Sequence, residues 1–511
     1  MKSKGHPGWT EAHLLALVCL FFGGAIVFHL AFAAKGHPFY RDQHLGTALE
    51  YAHNKIDLLR PVIVGFNATG TPTPQEPPLW QAAAALAFKA FGTWWGWANI
   101  VSLVLFATSF FPLFRLAQDF FGTRVAWWTL VFFIAQPVVF LHAGTAGTDG
   151  FSLATSLWFL YCAVKLLKHP EPGWWLATCL VGSLAATTKM PFFLTAGLAC
   201  FFLAVMYHRH SPLPWIFLGT AAGVIAVVFF VWNRYTDHCI AIAEFPYVDL
   251  RLSNPDMRFW YFGDLHYRLT PGNWIKAGWR ILNACFGSFA MAGMFGYGLF
   301  FVRGNPFGKL LLAGCGITTL IFVQIVLHHT HYYLMFTPAI ALLCAQAAGD
   351  LEKKVPFEAG GKTWLGIAGV AVVLGFSLVQ GLVGIRIVLA LDTYPHEMAA
   401  IIDQYTGPAD KLLVEGGGWG DTLMLSHRVG LSIWNTKILE DSTNLARLKQ
   451  LGFNKLVMVS QSPLASAVEK SNPGQTQFTR ELYSDPKLLT PVAKDWPTLF
   501  QSEDILIKQI P

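Results

Sequence analysis

Charge is scarce in this chain. Of its 511 residues only 13% are Asp, Glu, Lys or Arg, while 54% are hydrophobic. A soluble domain usually carries about 25% charge. Apolar stretches of membrane-spanning length recur along most of the chain, which makes it a polytopic membrane protein. Cysteine is scarce as well. Most of the eight, among them Cys19, Cys162, Cys200 and Cys344, sit inside apolar runs and read as small hydrophobes. No CxxC pair occurs, which speaks against structural zinc and against a disulfide framework. The net charge of +6 comes without a basic stripe interleaved with aromatics, so nucleic acid is not an expected partner. Internal repeats and low-complexity tracts are missing too. The "GGGWG" at 416–420 lacks the GxGxxG spacing of a dinucleotide site and reads as a turn.

Aromatic residues, by contrast, are abundant: 15% of the chain, with 19 Trp. Trp94-Trp95, Trp127-Trp128 and Trp174-Trp175 stand near the ends of apolar runs, as in interfacial aromatic belts. The apolar runs predict eleven spans: 13–34, 95–117, 125–142, 149–167, 174–188, 191–207, 213–233, 277–301, 308–327, 332–349 and 363–388. The first is too long for the apolar region of a cleaved signal and reads as a retained span. Basic residues set the orientation. Lys2 and Lys4, Arg115 and Arg124, Lys165 and Lys168, Arg209, Arg303 and Lys309, and Lys353, Lys354 and Lys362 fall on one side if the N-terminus is cytoplasmic. The outer side then receives 35–94, the turns near 143–148, 189 and 328–331, the loop 234–276 and the C-terminus.

Residues 79–92 are apolar but short for a span, so they are expected as a helix lying at the outer interface. Residues 40–52 predict a second such helix, with Leu45, Leu49 and Ala52 on one face. After about residue 390 the charge rises and the apolar runs stop. Strands are expected at 410–417, 454–461 and 503–510, and a helix at 444–452 that ends at a glycine. The expected fold class is therefore a polytopic α-helical membrane protein (residues 1–390) with a small C-terminal soluble α/β domain (391–511) outside the membrane.

The unusual polar residues collect on the outer side. Asp42 heads the 40–52 helix and is either an N-cap or a general base at the membrane surface. Glu76 follows Pro72 and Pro74 and precedes Pro77 and Pro78, which hold it on a stiff turn; it is either an exposed loop carboxylate or a site residue. Asp149 opens a span at its outer mouth, as a cap or a site residue. Lys189 lies between two apolar runs with no loop around it, so it either snorkels or meets an anionic partner. "HHTHYY" at 328–333 packs His and Tyr into an outer turn, for interfacial anchoring or for a site. Carboxylates, a membrane-level cation and a His/Tyr cluster are the parts needed to join a lipid-linked anionic donor to an acceptor. A base activates the incoming hydroxyl and cations hold a leaving phosphate.

The order of these motifs resembles the GT-C superfamily, in particular the protein O-mannosyltransferase and aminoarabinose lipid A transferase group. "YRDQHLGTALEYA" follows the first span, and "PPLW…LAFKAFG" precedes the second. "TDGFSLATSLWFLYCAVKLL" resembles the second acidic loop of that group and its span; "LAATTKMP" resembles a Thr-Lys-Gly-Pro segment and "HYYLMFTPAIALL" a late Tyr-rich span. The resemblance covers roughly residues 10–390. It implies a GT-C fold and a transferase that uses a polyprenyl-phosphate sugar donor, with a glycolipid, glycan or protein acceptor. It implies Asp42 as the catalytic base, Asp149 supporting the acceptor or the site geometry, and Lys189 holding the donor phosphate with Tyr332 or His331. Two departures stand out. The group often has Asp-Glu where this chain has Asp42-Gln43, and aminoarabinose transferases follow the second acid with Lys where this chain has Pro77. Arg60 is the candidate to supply that charge. No cofactor is required by the chemistry. Those transferases can bind a metal near this acid, and Glu76 with His266 or His238 would be the corresponding ligands. The expected location is the plasma membrane of a bacterium or archaeon. A flippase or transporter for a lipid-linked sugar is the rival reading. An oligosaccharyltransferase is disfavoured, because its Trp-Trp-Asp signature is missing.

Overall fold

The computed structural model describes residues 10–31, 41–245, 254–255, 257–354, 363–384, 394–415, 421–433, 436–459, 491–502 and 505–511. The "GGGWG" turn, the chain around His238-to-Asp264 at 246–253 and the tip of the loop after Lys354 lie at least partly outside them. The chain divides into two compact units. One comprises Met1–Ala33, Asn99–Asn233 and Leu252–Arg386; the other comprises Ala34–Ala98, Arg234–Arg251 and Ile387–Pro511. The division does not fall at a single boundary near residue 390, because the first long loop clusters with the C-terminal residues.

The first unit is helical. Among the described residues, six helices are long and apolar enough to cross a membrane: Glu11–Ala31, the run Gly96–Phe121, Asp149–Lys168, Met190–His208, Pro212–Ala241 and the run Thr330–Lys354. Several expected spans are interrupted rather than continuous, each for a local reason. The span at 125–142 becomes helices Thr123–Ile134 and Pro137–His142, since Pro137 has no N–H to continue the ladder. Gln136 at the break donates its amide to the Thr337 carbonyl at 2.9 Å. The span at 277–301 becomes Pro271–Ile281, a wide i→i+5 turn over Leu282–Phe286, and Phe289–Phe300. Gly287 separates the last two with φ +67°, and a Cβ there would lie 2.0 Å from the Ser377 carbonyl oxygen. Small residues also allow close helix contact: a Cβ at Gly298 would lie 2.1 Å from the Leu343 oxygen, and one at Gly314 would lie 2.6 Å from the Thr195 oxygen. The helix core runs through Leu160, Val164, Ala199, Leu203, Phe307 and Leu342. Pro212–Ala241 instead exposes Ile216, Val227, Phe230 and Val231, as a helix facing hydrocarbon does.

The second unit holds a five-stranded sheet: β1 (Lys411–Glu415), β2 (Val429–Ile433), β3 (Phe453–Val459), β4 (Thr498–Gln501) and β5 (Ile505–Gln509), in the order β2-β1-β3-β5-β4. β1 pairs parallel with β2 and β3, while β5 pairs antiparallel with β3 and β4. β1, β3 and β5 coincide with the expected strands, and helix Ser442–Gln450 with the expected helix. Asp441 caps that helix by accepting from the Thr443 N–H at 2.8 Å. Gly452, at φ +88°, stands just beyond its end. Alternate residues of the strands cover two faces. Leu413, Leu431, Leu456 and Met458 pack with Leu448 and Trp496 on one. Leu412, Val414, Val457 and Ile507 pack with Met398 and Ile402 on the other.

The first loop takes part in this sandwich. Ala68 joins the first face and Val64 the second. The Gly65 carbonyl accepts from the Ser432 N–H at 2.8 Å, and Gly65 bridges Leu431 in parallel fashion. Glu244 contributes its carbonyl to the Ala68 N–H at 2.9 Å and its carboxylate to both ends of the Arg447 guanidinium at 2.8 Å each. Within the loop, helix Leu79–Phe91 lies where the short apolar run predicts it. The 40–52 helix differs from expectation. It begins as a wide i→i+5 turn, Arg41–Gly46, and continues as Thr47–His53. The wide turn shifts the helical phase, so the buried face is Leu45, Ala48 and Tyr51, together with the polar Gln43, His44 and Thr47; Leu49 and Ala52 are only half-buried.

Glu415, at the carboxyl end of β1, is 2% exposed, and burial pushes its carboxyl up to about 8. A group raised in the folded state favours folding fully only below its unfolded value, near 4.5. Its contribution is lost as pH rises towards 8. The melting temperature of the detergent-solubilised protein should therefore fall by about 5 °C or more between pH 5 and pH 9. Glu415→Gln should flatten that slope; an unchanged slope would show that Glu415 does not set it.

Candidate active site

Two polar clusters stand out, one in each unit. In the helical unit, Asp149 is the first residue of helix Asp149–Lys168, and Lys189 is the extended hinge between helices Pro172–Thr188 and Met190–His208. The hinge exists because Pro191 cannot carry the ladder through it. At φ −153° and ψ 101°, Lys189 ends one helix through its N–H to the Ala185 oxygen and starts the next by accepting from the Phe192 N–H, both at 3.1 Å. Its ammonium donates to the Asp149 carboxylate. Asp149 is 3% exposed, so this charge sits almost wholly out of water, paired and at the positive end of its own helix. The Lys189 Nζ also lies 5.2 Å from the centre of the Tyr332 ring, near enough for a cation–π contact.

Tyr332 belongs to the tight helical turn Thr330–Phe336 that follows the His-rich turn. A row of rings runs from it: His331 at 4.5 Å from Tyr332, His329 at 5.2 Å from His331, and Trp260 at 5.1 Å from His329. His142 joins the row 6.1 Å from His331 and has its Nε2 3.3 Å from the Thr330 hydroxyl. Arg280 donates to the Leu327 and His328 carbonyls and holds the turn from behind. Burial and the Arg280 charge keep the His328 ring neutral, lowered to about 4. Lys189 thus meets Asp149 and the Tyr332 ring, and His331 stands next to Tyr332. His266 is exposed on the short helix Leu265–Leu269 of the same unit.

In the second unit, Glu76 is no loose loop carboxylate. Its Oε1 lies 3.0 Å from His44 Nδ1 and accepts from the Gln81 amide at 3.0 Å, while its Oε2 accepts from the Gln43 amide at 3.3 Å. Gln43, His44 and Gln81 are all buried. Asp42 precedes Gln43 in the wide turn; its side chain lies outside the described residues. Arg60 is exposed on the turn that closes through its N–H to the Asp57 oxygen at 3.0 Å. Among the described residues, no three His, Cys, Asp or Glu side chains gather as metal ligands. The Glu76 oxygens are taken by amide and imidazole groups of its own unit. Gln43, His44 and Gln81 gather around Glu76 without a spacing signal in the sequence. The one signal available was Gln43 standing where a carboxylate is usual.

A model of the dolichyl-phosphate-mannose-protein mannosyltransferase family matches residues 75–232, a stretch that includes Glu76, Asp149 and Lys189. No curated protein matches the sequence. ArnT from Cupriavidus metallidurans, solved with undecaprenyl phosphate bound, shares the fold with a TM-score of 0.62 at 15% identity, over 97% of this chain and 98% of that one. The same protein in its apo state gives 0.59 over the same shares. The arabinofuranosyltransferase AftD from Mycobacteria gives 0.52 at 14% identity, over 98% of this chain and 40% of that one. The fold of this chain is thus the one that ArnT and part of AftD share, built on apolar helices long enough to cross a membrane.

The Asp149–Lys189 pair makes a testable demand. Removing one member of a buried ion pair costs about 3–5 kcal/mol, whereas replacing both by apolar residues costs far less. Asp149→Ala should therefore lower the melting temperature more than the double variant Asp149→Ala/Lys189→Met. The reverse order would mean that Lys189 finds other compensation.

Proposed function

We propose that this protein transfers a sugar from a polyprenyl-phosphate-linked donor to a hydroxyl or phosphate of a glycolipid, glycan or protein, at the outer face of a bacterial or archaeal plasma membrane. The observation that carries the reading is the buried Asp149–Lys189 pair under the Tyr332 ring, in a fold shared with a transferase solved with undecaprenyl phosphate bound. A lysine ammonium has three donors. Asp149 orients it, and in this reading the same ammonium meets the oxygens of a donor phosphate. Tyr332 lies beside it, with His331 next along the row of rings, and Arg60 and Glu76 are the substrate-binding candidates of the first loop.

In the proposed reaction the acceptor oxygen attacks the anomeric carbon as its proton passes to Asp42, the general base. The bond from that carbon to the phosphate oxygen breaks, and polyprenyl phosphate leaves with the electron pair. Stabilising the negative charge that develops on this group is the larger task, and it falls to Lys189. Attack opposite the leaving group inverts the anomeric centre. No metal is needed to move the proton or to hold the phosphate in this scheme.

The membrane frame proposed here has eleven spans, each interrupted helix crossing once, with the N-terminus cytoplasmic and the C-terminal α/β residues outside. The positive-inside pattern supports it, and so does the placing of Asp149, Lys189 and His331 at turns assigned to one face. The test is turnover in proteoliposomes supplied with membrane lipid extract, followed as released polyprenyl phosphate and glycosylated product. Asp42→Asn should lower the rate at least about 100-fold while keeping the binding of undecaprenyl phosphate. Equal rates would make Asp42 a helix cap. Movement of the lipid-linked sugar across the bilayer without turnover would support a flippase instead.

A further inference from the structure

The cluster around Glu76 is costly as a structural device. In the buried interior of the first loop it collects one carboxylate, one imidazole and two glutamine amides, beside a Trp80 ring that meets His44 edge-on at 6.0 Å. Gln81 Nε2 reaches Glu76 at 3.0 Å and His44 Nδ1 at 3.1 Å. Gln43 reaches Glu76 and also donates to the Gln75 side chain. Two oxygens of the cluster, Gln43 Oε1 and Gln81 Oε1, are buried without a hydrogen-bond partner among the described residues. Buried polar groups are nearly always satisfied, and violations that persist concentrate where function holds a geometry in place. Two of the four members, Gln43 and His44, lie in the same wide turn as Asp42. That turn is an i→i+5 insertion of the kind found at functional sites. Its backbone is tied down by the Thr47 hydroxyl, which donates to the Gln43 carbonyl at 2.8 Å and to the Val62 carbonyl at 3.1 Å. Glu76 is itself immobilised, between Pro74 and Pro77-Pro78 and just ahead of helix Leu79–Phe91.

We infer that Glu76 and His44 are positioning residues for Asp42. Glu76 anchors Gln43 and His44, and through them it holds the turn that aims the base. The inference rests on the reading of Asp42 as the base. It assigns Glu76 a task other than contact with substrate, and it accounts for Gln43: an amide can donate to Glu76, whereas a carboxylate at that position would repel it.

The experiment compares Glu76→Gln with wild type in proteoliposomes supplied with membrane lipid extract. Rates are normalised to the fraction of protein that binds undecaprenyl phosphate. The maximal rate should fall about 10-fold or more, with the half-saturating extract concentration unchanged within about 2-fold, since misaiming a group lowers turnover rather than affinity. In the Asp42→Asn background Glu76→Gln should add little further loss, because both changes remove the same aimed base. His44→Asn, whose amide nitrogen replaces Nδ1, should keep more activity than His44→Ala or His44→Gln; this series carries the test if Glu76→Gln does not fold. A wild-type rate in Glu76→Gln overturns the inference. So does a raised half-saturating concentration with the maximal rate kept, which would place Glu76 against substrate. An equal loss in both backgrounds also overturns it, leaving the base reading intact. Wild-type turnover in Asp42→Asn alone sinks the base reading, whatever Glu76→Gln does.

Discussion

A buried carboxylate, Asp149, met by a partly exposed lysine ammonium is the constraint around which the helical unit is arranged. Lys189 can occupy its hinge only because Asp149 meets it there. Asp149 in turn can be buried only because it is paired and begins a helix. The local geometry follows from this. Pro191 stops the ladder at the hinge, Thr148 and Ser152 close the first turn of the Asp149 helix, and Tyr332 offers its ring face to the cation. A charged pair so placed contributes little net stability. Stability alone therefore does not account for it.

The interruptions in the helices are a second constraint on the unit. The breaks at Gln136-Pro137, at Gly287 and ahead of Thr330 free backbone groups and turn polar side chains inward. Non-helical backbone at membrane depth is tolerated only where protein or a wet cavity covers it. Side chains answer some of that demand here: Gln136 serves the Thr337 carbonyl and Arg280 serves Leu327 and His328.

Much of this was legible in the sequence, and what was not has identifiable causes. Lys189 stood out because a lysine inside an apolar run needs an explanation, and Asp149 because it opens a helix; that the two meet is a fact of tertiary packing. The wide turn at Arg41–Gly46 was hidden, since nothing in "RDQHLG" marks an extra residue per turn, and so the helical face was assigned with the wrong phase. His44 and Gln81 were overlooked because a lone imidazole and a lone amide carry no spacing signal. In the C-terminal residues, β1, β3 and β5 announced themselves as apolar runs. β2 and β4 did not: "VGLSI" and "TLFQ" are too short and mixed to be told from loop. The joining of Val64, Gly65 and Ala68 to that sheet is long-range pairing with no local trace.

That joining has a consequence for biosynthesis. The sheet-bearing unit draws on three stretches of chain, Ala34–Ala98, Arg234–Arg251 and Ile387–Pro511. Its earliest stretch leaves the ribosome several hundred residues before β1. Until the last stretch arrives, Val64 and Ala68 lack the strands they pack against. Contacts between residues so far apart in sequence close late and slowly. During that interval the first loop offers an unfinished apolar surface to chaperones and to neighbouring chains, so the order of translation makes this loop the vulnerable part of the nascent protein.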